Sequence, residues 1–244
     1  MKNILYTLGC AAVMLATSCK KIDNYPGPNA SLSGKIMDAT DGKPFLTGQG
    51  EFSIRLWETS WSDNPTPQDL SVKQDGSYTN SKLFQATYAM QPYGGAFWPT
   101  DKIEGFKLGS DGKQDFEVVP YLKVIDVKAT VSADHKLHIS CRLQAPLLAG
   151  LPDLKDVRPF ISLTPYVGNG NRIDEYYKDE YRLEFNRNFS ELANPATGIS
   201  LQEFVMPNDI PLLSGRTYYV RMGARVRDTF EKYNYSEVIT IKVP

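Results

Sequence analysis

From Ser31 onward, apolar residues recur at every second position in short runs, and turn residues separate the runs. This period-two pattern predicts strands, and helical spacing is nearly absent. Residues 31–37, 52–57, 70–73, 77–83, 87–91, 103–108 and 114–119 make about seven strands, enough for one sandwich. Asp41-Gly42, Asp75-Gly76 and Asp111-Gly112 supply turn signals, each with a glycine that tolerates positive φ. A calcium loop at Asp38 and Asp41 would need alternating oxygen ligands and a distal Glu, which are absent, so a turn is expected there.

A second set of strands starts near Leu122 and runs through 135–143, 157–163, 180–186, 199–205, 216–227 and 236–243. In the longest, Tyr218, Val220, Met222, Ala224 and Val226 alternate with Tyr219, Arg221, Arg225 and Arg227. One face of this strand is expected to pack and the other to meet solvent. Pro120 is poorly suited to a paired strand and falls where the pattern restarts, so it marks a domain boundary. The expectation is all-β: two tandem sandwiches over 31–120 and 121–244, touching across a short linker, the second able to fold alone.

The first thirty residues read differently. Lys2 precedes an apolar stretch over residues 4–16 that is too short to span a bilayer and ends in Leu15-Ala16-Thr17-Ser18-Cys19. This is the pattern of a bacterial lipoprotein signal over 1–18, with Cys19 as the acylated first residue. Residues 19–30, with Pro26, Gly27 and Pro28, then form a polar tether. The alternative is an ordinary secretory signal that leaves Cys19 as a free thiol. Cleavage takes 18 of the 244 residues and leaves 226, with a net charge of −2 once Lys2 is gone from a chain of net −1. That balance argues against nucleic acid as a partner. Cys141 alternates with Leu137, Ile139 and Leu143 and is expected to be a buried, inert thiol.

Several segments carry a resemblance to known modules. Residues 34–45 (Gly-Lys-Ile-Met-Asp-Ala-Thr-Asp-Gly-Lys-Pro-Phe), with Lys73-Gln74-Asp75-Gly76-Ser77-Tyr78 and Ala86-Thr87-Tyr88, resemble the carboxypeptidase-regulatory, transthyretin-like sandwich, which is non-catalytic. Residues 213–224 and 235–239 look like the last strands of a fibronectin-III or immunoglobulin-like domain, with Tyr218 in the tyrosine-corner region. With residues 57–67 and 164–169, the chain is similar to a family of Bacteroidetes lipoproteins of unassigned function. That resemblance implies a setting beside the outer-membrane importers and binding lipoproteins of starch-utilisation-type systems. It implies no ligand-contact residue, no cofactor and no catalytic position.

Motifs specific for catalysis are missing: there is no HExxH, Walker loop, GxSxG elbow or paired CxxC. His135 and His138 are the only histidines, and strand spacing puts them on opposite faces, so no metal site is expected. A pair of carboxylates acting on a glycan would show only in the folded cleft.

Aromatic residues among turn residues point to binding instead. Trp57 and Trp61 flank a polar segment with Asp63 and Asn64, and Tyr93, Phe97 and Trp98 surround Gly94-Gly95. A flat ring beside amide and carboxylate groups suits the C–H face and hydroxyl rim of a sugar, or an extended peptide. Packing within the sandwich is the competing role, strongest for Trp57. Tyr166 and Asn169, with Asn171 and Arg172, form a second candidate loop, which could equally be an ordinary connection. Arg221, Arg225 and Arg227 would clasp a carboxylate or pair with acidic neighbours.

The reading is therefore an outer-membrane or cell-surface lipoprotein, membrane-bound through Cys19, that is non-catalytic and assists an importer complex in capturing a nutrient, most simply a glycan. A structural subunit of that importer binding no nutrient, and a glycan-acting enzyme, are the alternatives.

Overall fold

The computed structural model describes residues 27–244, so Cys19, the leader and most of the tether lie outside the described residues. The described chain is all-β, built as two sandwiches with separate hydrophobic cores over residues 30–118 and 121–243.

Eight strands form the first: β1 (Ala30–Asp38), β2 (Ser53–Glu58), β3 (Gln68–Ser71), β4 (Ser77–Leu83), β5 (Ala86–Tyr93), β6 (Ile103–Leu108), β7 (Asp111–Lys113) and β8 (Phe116–Val118). Strand β1 already begins at Ala30, so strand pairing takes the last residue assigned to the tether. One sheet has the order β3-β2-β5-β6, all antiparallel. In the other, β4 pairs antiparallel with β1, and β7 and β8 run parallel to its successive halves. Leu32, Ile36, Ile54, Leu56, Tyr88 and Met90 point between the sheets and are fully buried. Two of the expected turns have the required geometry, with Gly42 and Gly76 at φ of 70° and 77°. The third does not: Asp111-Gly112 lies in β7, paired with Ser31–Ser33. Gly112 is needed there for closeness, since a Cβ would meet Leu108 Cδ1 at 2.5 Å.

The second sandwich contains β9 (Lys123–Val131), β10 (Lys136–Gln144), β11 (Leu154–Ser162), β12 (Leu183–Arg187), β13 (Phe204–Val205), β14 (Ile210–Pro211), β15 (Thr217–Val226), β16 (Tyr233–Tyr235) and β17 (Ile239–Lys242). One sheet centres on β10, between β9 and the short β13 and β14. The other runs β12-β11-β15, with β16 and β17 both paired to β15. Cys141 is buried in this core, where burial pushes its thiol up to about 12. Tyr218 Oη accepts a hydrogen bond from Leu213 N at 3.1 Å, the backward link expected of a tyrosine corner.

The outer face of β15 is not the solvated surface that its alternation suggests. Arg221 is 1% exposed, and Arg225 pairs through Nη2 with Asp156 Oδ2 at 2.7 Å, Asp156 being fully buried. Tyr233, Tyr235 and Phe160 pack over the same face. Most of the cover comes from the second domain's own Val167, Tyr177, Tyr233 and Tyr235, and the first sandwich closes it at Arg221 and Tyr235 through Thr47 and Glu51. Arg and Tyr alternate with apolar residues whether water or another domain lies outside, so the pattern is the same in both cases.

Strand directions in the first sandwich decide what each of its ends does. Asp38, Ser53, Ser71, Ser77 and Tyr93 lie at the end that meets the second domain. Ala30, Glu58, Gln68, Leu83, Ala86 and Leu108 lie at the opposite pole. The described chain therefore enters at the pole farthest from the second domain.

Candidate functional site

The loops that meet the second domain build a polar junction with a groove along it. Arg221 donates from Nε to Ser236 O at 2.9 Å and from Nη1 to Thr47 O at 2.9 Å, reaching from β15 into the first sandwich. Beside it Glu51 Oε1 accepts from Tyr235 Oη and from Asn169 N, the latter at 3.1 Å. Glu51 Oε2 is buried without a hydrogen-bond partner. Burial raises the Glu51 carboxyl above its ordinary value, although the hydrogen bonds from Tyr235 and Asn169 and the charges of Lys232 and Arg221 pull the other way. The loops approach closely because of glycine: a Cβ on Gly168 would lie 3.3 Å from Gly48 Cα. Asn234 joins the linker to both domains, accepting from Leu122 N at 3.1 Å and donating to Ala96 O at 2.8 Å.

Two cavities open along this junction. One, of about 330 Å³, is lined by Gln49, Lys73, Gln74, Asp75, Tyr166 and Arg221, among others. Tyr166 is 60% exposed at this cavity, and Gln74 Nε2 donates to Pro165 O at 2.9 Å while its Oε1 is buried and unpaired. The other, of about 260 Å³, holds Asp38, Asp41 and Lys123 and shares Leu46 and Glu237 with the first, so the two adjoin. Lys123 Nζ lies 2.8 Å from Asp38 Oδ2 and 2.9 Å from Asp41 Oδ2, so an ammonium joins the two carboxylates in question. Burial pulls the Asp41 carboxyl up, but hydrogen bonds from Lys123 and Lys43 N outweigh this and leave it below the usual carboxylate range.

The residues singled out in the sequence separate into three places. Tyr166 lines the groove, and Asn169 lies behind it with its backbone N–H given to Glu51 and Tyr235. Trp98 and Tyr93 sit within the junction. Trp98 packs edge-on against Tyr121 with centroids 5.3 Å apart and lies 3.7 Å from where a Gly150 Cβ would be. Its Nε1 is buried without a hydrogen-bond partner. Tyr93 meets Phe230 of the second domain at 5.2 Å, with the Arg55 guanidinium over its ring. Trp61, Asp63 and Asn64 stand at the opposite pole, all exposed, and Trp61 lines neither cavity. Trp57 lies half-buried on β2 under Lys102 Nζ, 4.2 Å from its ring centre.

The histidines do not converge. His135 holds a turn at φ 61°, and His138 Nδ1 contacts Asp209 at 2.9 Å. Among the described residues no three His, Cys, Asp or Glu side chains gather as metal ligands. The sequence did not mark Gln49, Lys73 and Gln74 as site residues, and the fold brings them beside Tyr166 from more than ninety residues away. Gln74 precedes the Asp75-Gly76 turn signal, but nothing in a turn signal tells what its shoulder faces.

The chain matches two family models in tandem. Residues 30–119 match the DUF3823 N-terminal domain, of a protein of unknown function, and residues 122–240 match the DUF3823 C-terminal domain, also of unknown function. The chain belongs to the DUF3823 family. Among solved structures it is similar to a candidate carbohydrate-binding protein from Bacteroides uniformis, at 23% identity and a TM-score of 0.72, covering 89% of this chain and all of the other. A DUF3823 family protein from the same species matches at 23% identity and a TM-score of 0.70, over 90% of this chain and all of the other. One from Parabacteroides merdae matches at 19% and 0.65, over 89% of this chain and all of the other. At such identities these likenesses carry the fold alone. No curated protein matches the sequence.

Proposed function

We propose that this chain is a non-catalytic, lipid-anchored protein of the outer membrane that holds an extracellular glycan in the groove between its sandwiches, in the service of an importer complex. The observation that carries this reading is Tyr166, exposed over a polar cavity that Gln49, Lys73, Gln74 and Asp75 also line. A ring face beside convergent amide, ammonium and carboxylate groups matches the apolar face and hydroxyl rim of a sugar. The likeness to a candidate carbohydrate-binding protein supports the same class of ligand. Asp38 and Asp41 do not suit a glycosidase, because both are engaged by Lys123 and Asp41 is held ionised, whereas the general acid of such a pair must carry a proton.

A glycan array followed by calorimetry tests the proposal. Tyr166→Ala should weaken binding about tenfold or more, the effect of losing one stacked aromatic contact, without lowering the melting temperature. Gln74→Ala should weaken it less. A folded chain that retains no glycan, but co-purifies with an importer, would replace this reading with that of an assembly subunit.

A further inference from the structure

The pole where the described chain enters carries a surface that the groove leaves unused. Its loops are the segment 59–67 between β2 and β3, the turn at Phe84-Gln85 and the turn at Gly109-Ser110. Trp61 is 74% exposed and Phe84 44% exposed, and both stand at this end. The root of the Trp61 loop is held: Thr59 N donates to Thr87 O at 2.8 Å, and Thr87 N donates to Ser60 Oγ at 2.7 Å. Asn64 N donates to Ser62 Oγ at 3.1 Å. The indole is thus presented on a fixed turn among hydroxyl, amide and carboxylate groups. Tyr88 Oη donates to Phe84 O at 2.9 Å and fixes the neighbouring turn in the same way.

We infer that this pole rests in the headgroup layer of the bilayer, with Trp61 as its main contact and Phe84 beside it. The inference rests on the anchor at Cys19. Residues 19 to 29 separate that anchor from β1, and eleven residues span at most about 40 Å when fully extended. The far end of the sandwich lies a further strand length away, about 30 Å for the nine residues of β1. A flexible chain of eleven residues has an r.m.s. span of only about 18 Å, shorter than that strand length, so an anchor at Cys19 keeps this pole nearer the lipid than the groove. Tryptophan favours that layer because its ring is apolar and its N–H is not. A shallow contact of this kind would turn the groove outward, away from the membrane.

The test uses residues 19–244 coupled through Cys19 to a maleimide-bearing lipid in phosphatidylcholine vesicles, some with brominated acyl chains. The only other thiol, Cys141, is buried and remains unreactive. On vesicles the tryptophan emission should shift to the blue and be quenched by brominated lipid, and Trp61→Phe should abolish both changes while Trp57 and Trp98 still emit. Emission unchanged by vesicles, or quenching that persists in Trp61→Phe, overturns the inference. So does an indole that remains wet on lipid and becomes shielded only in a detergent-solubilised importer complex, which would assign the pole to a protein partner. Metabolic labelling of the full chain with an alkyne fatty acid is read separately. No label at Cys19 overturns the anchor and the docking with it, whereas label with an unquenched Trp61 overturns the docking alone.

Discussion

At one end of the N-terminal sandwich Trp98 is wedged beneath the second domain, against Tyr121 and Gly150, and at the other Trp61 stands 74% exposed. Both tryptophans lie in turn-rich segments and have the same look in the sequence. The docked end is built on side chains that each touch both domains, with Arg221, Glu51 and Asn234 joining loops more than a hundred residues apart. At the opposite end the root of the Trp61 loop is held by bonds within the first sandwich, such as those from Thr59 and to Ser60. The comparison shows that exposure of an aromatic loop is decided by which end of the sandwich it closes, not by its own residues.

The sharpest way to break this contrast is to remove Arg221. Arg221→Met should destabilise the chain by about 3 kcal/mol or more, because it strands the carbonyls of Thr47, Val167 and Ser236 and leaves Glu51 facing no charge on β15. Calorimetry should show the single melt separating into two. A fragment of residues 121–244 loses the contacts of Arg221 and Tyr235 with the first sandwich and should still melt cooperatively, but below the full chain. One unchanged melt for Arg221→Met would mean that the junction contributes little.

Trp98→Ala comes next, at about 2–3 kcal/mol, since it opens a cavity under the junction. A chemical denaturation curve for each tryptophan variant makes the comparison direct, and equal losses for Trp98→Ala and Trp61→Ala would end it.

Within the docked end the two acidic sites should respond to pH with opposite sign. Glu51 has its carboxyl raised by burial, so the folded chain keeps its proton where the unfolded chain has lost it. Its contribution is full below the ordinary value of 4.5 and is lost as pH rises through the raised value. Glu51→Gln should therefore gain on the parent as pH rises from the ordinary value of 4.5 through the raised one. Asp41 is lowered, so its contribution is present above the ordinary carboxyl value and fades as pH falls through the lowered one. Asp41→Asn should be weaker than the parent at neutral pH, and the difference should vanish in acid. Thermal melts across that range measure both.

The smallest effect belongs to Trp61→Ala, which should change stability by no more than about 0.5 kcal/mol, as for other exposed surface positions. A larger loss would mean that the pole is packed and not presented.

Much of the candidate site was half legible. Tyr166 and Asn169 were visible as an aromatic and a polar residue of one loop with Asn171 and Arg172, and Tyr166 does line the groove. Gln74 and Lys73 gave no sign beyond their place next to a turn, because a site made between domains has no local pattern. Arg221 was visible as part of an alternating strand, but its partners are backbone carbonyls of Thr47 and Val167, which carry no side-chain signature. Asp111-Gly112 went the other way: its turn chemistry was plain, yet pairing with Ser31–Ser33 and close packing on Leu108 set its conformation.

From its residues alone the chain determined that it is β throughout, where most strands run and which side of each strand enters a core. Period-two alternation encodes those properties directly, and turn glycines such as Gly42 and Gly76 fix their own backbone locally. The tertiary structure decided which outer faces meet water. An outer face of Arg and Tyr is stable under solvent, through charged tips, and equally stable under a docked domain, through ring packing and hydrogen bonds to carbonyls. Packing of the second domain's own tyrosines, together with docking of the first sandwich at Arg221, decides between the two outcomes, and the same docking separates the groove at Tyr166 from the exposed pole at Trp61.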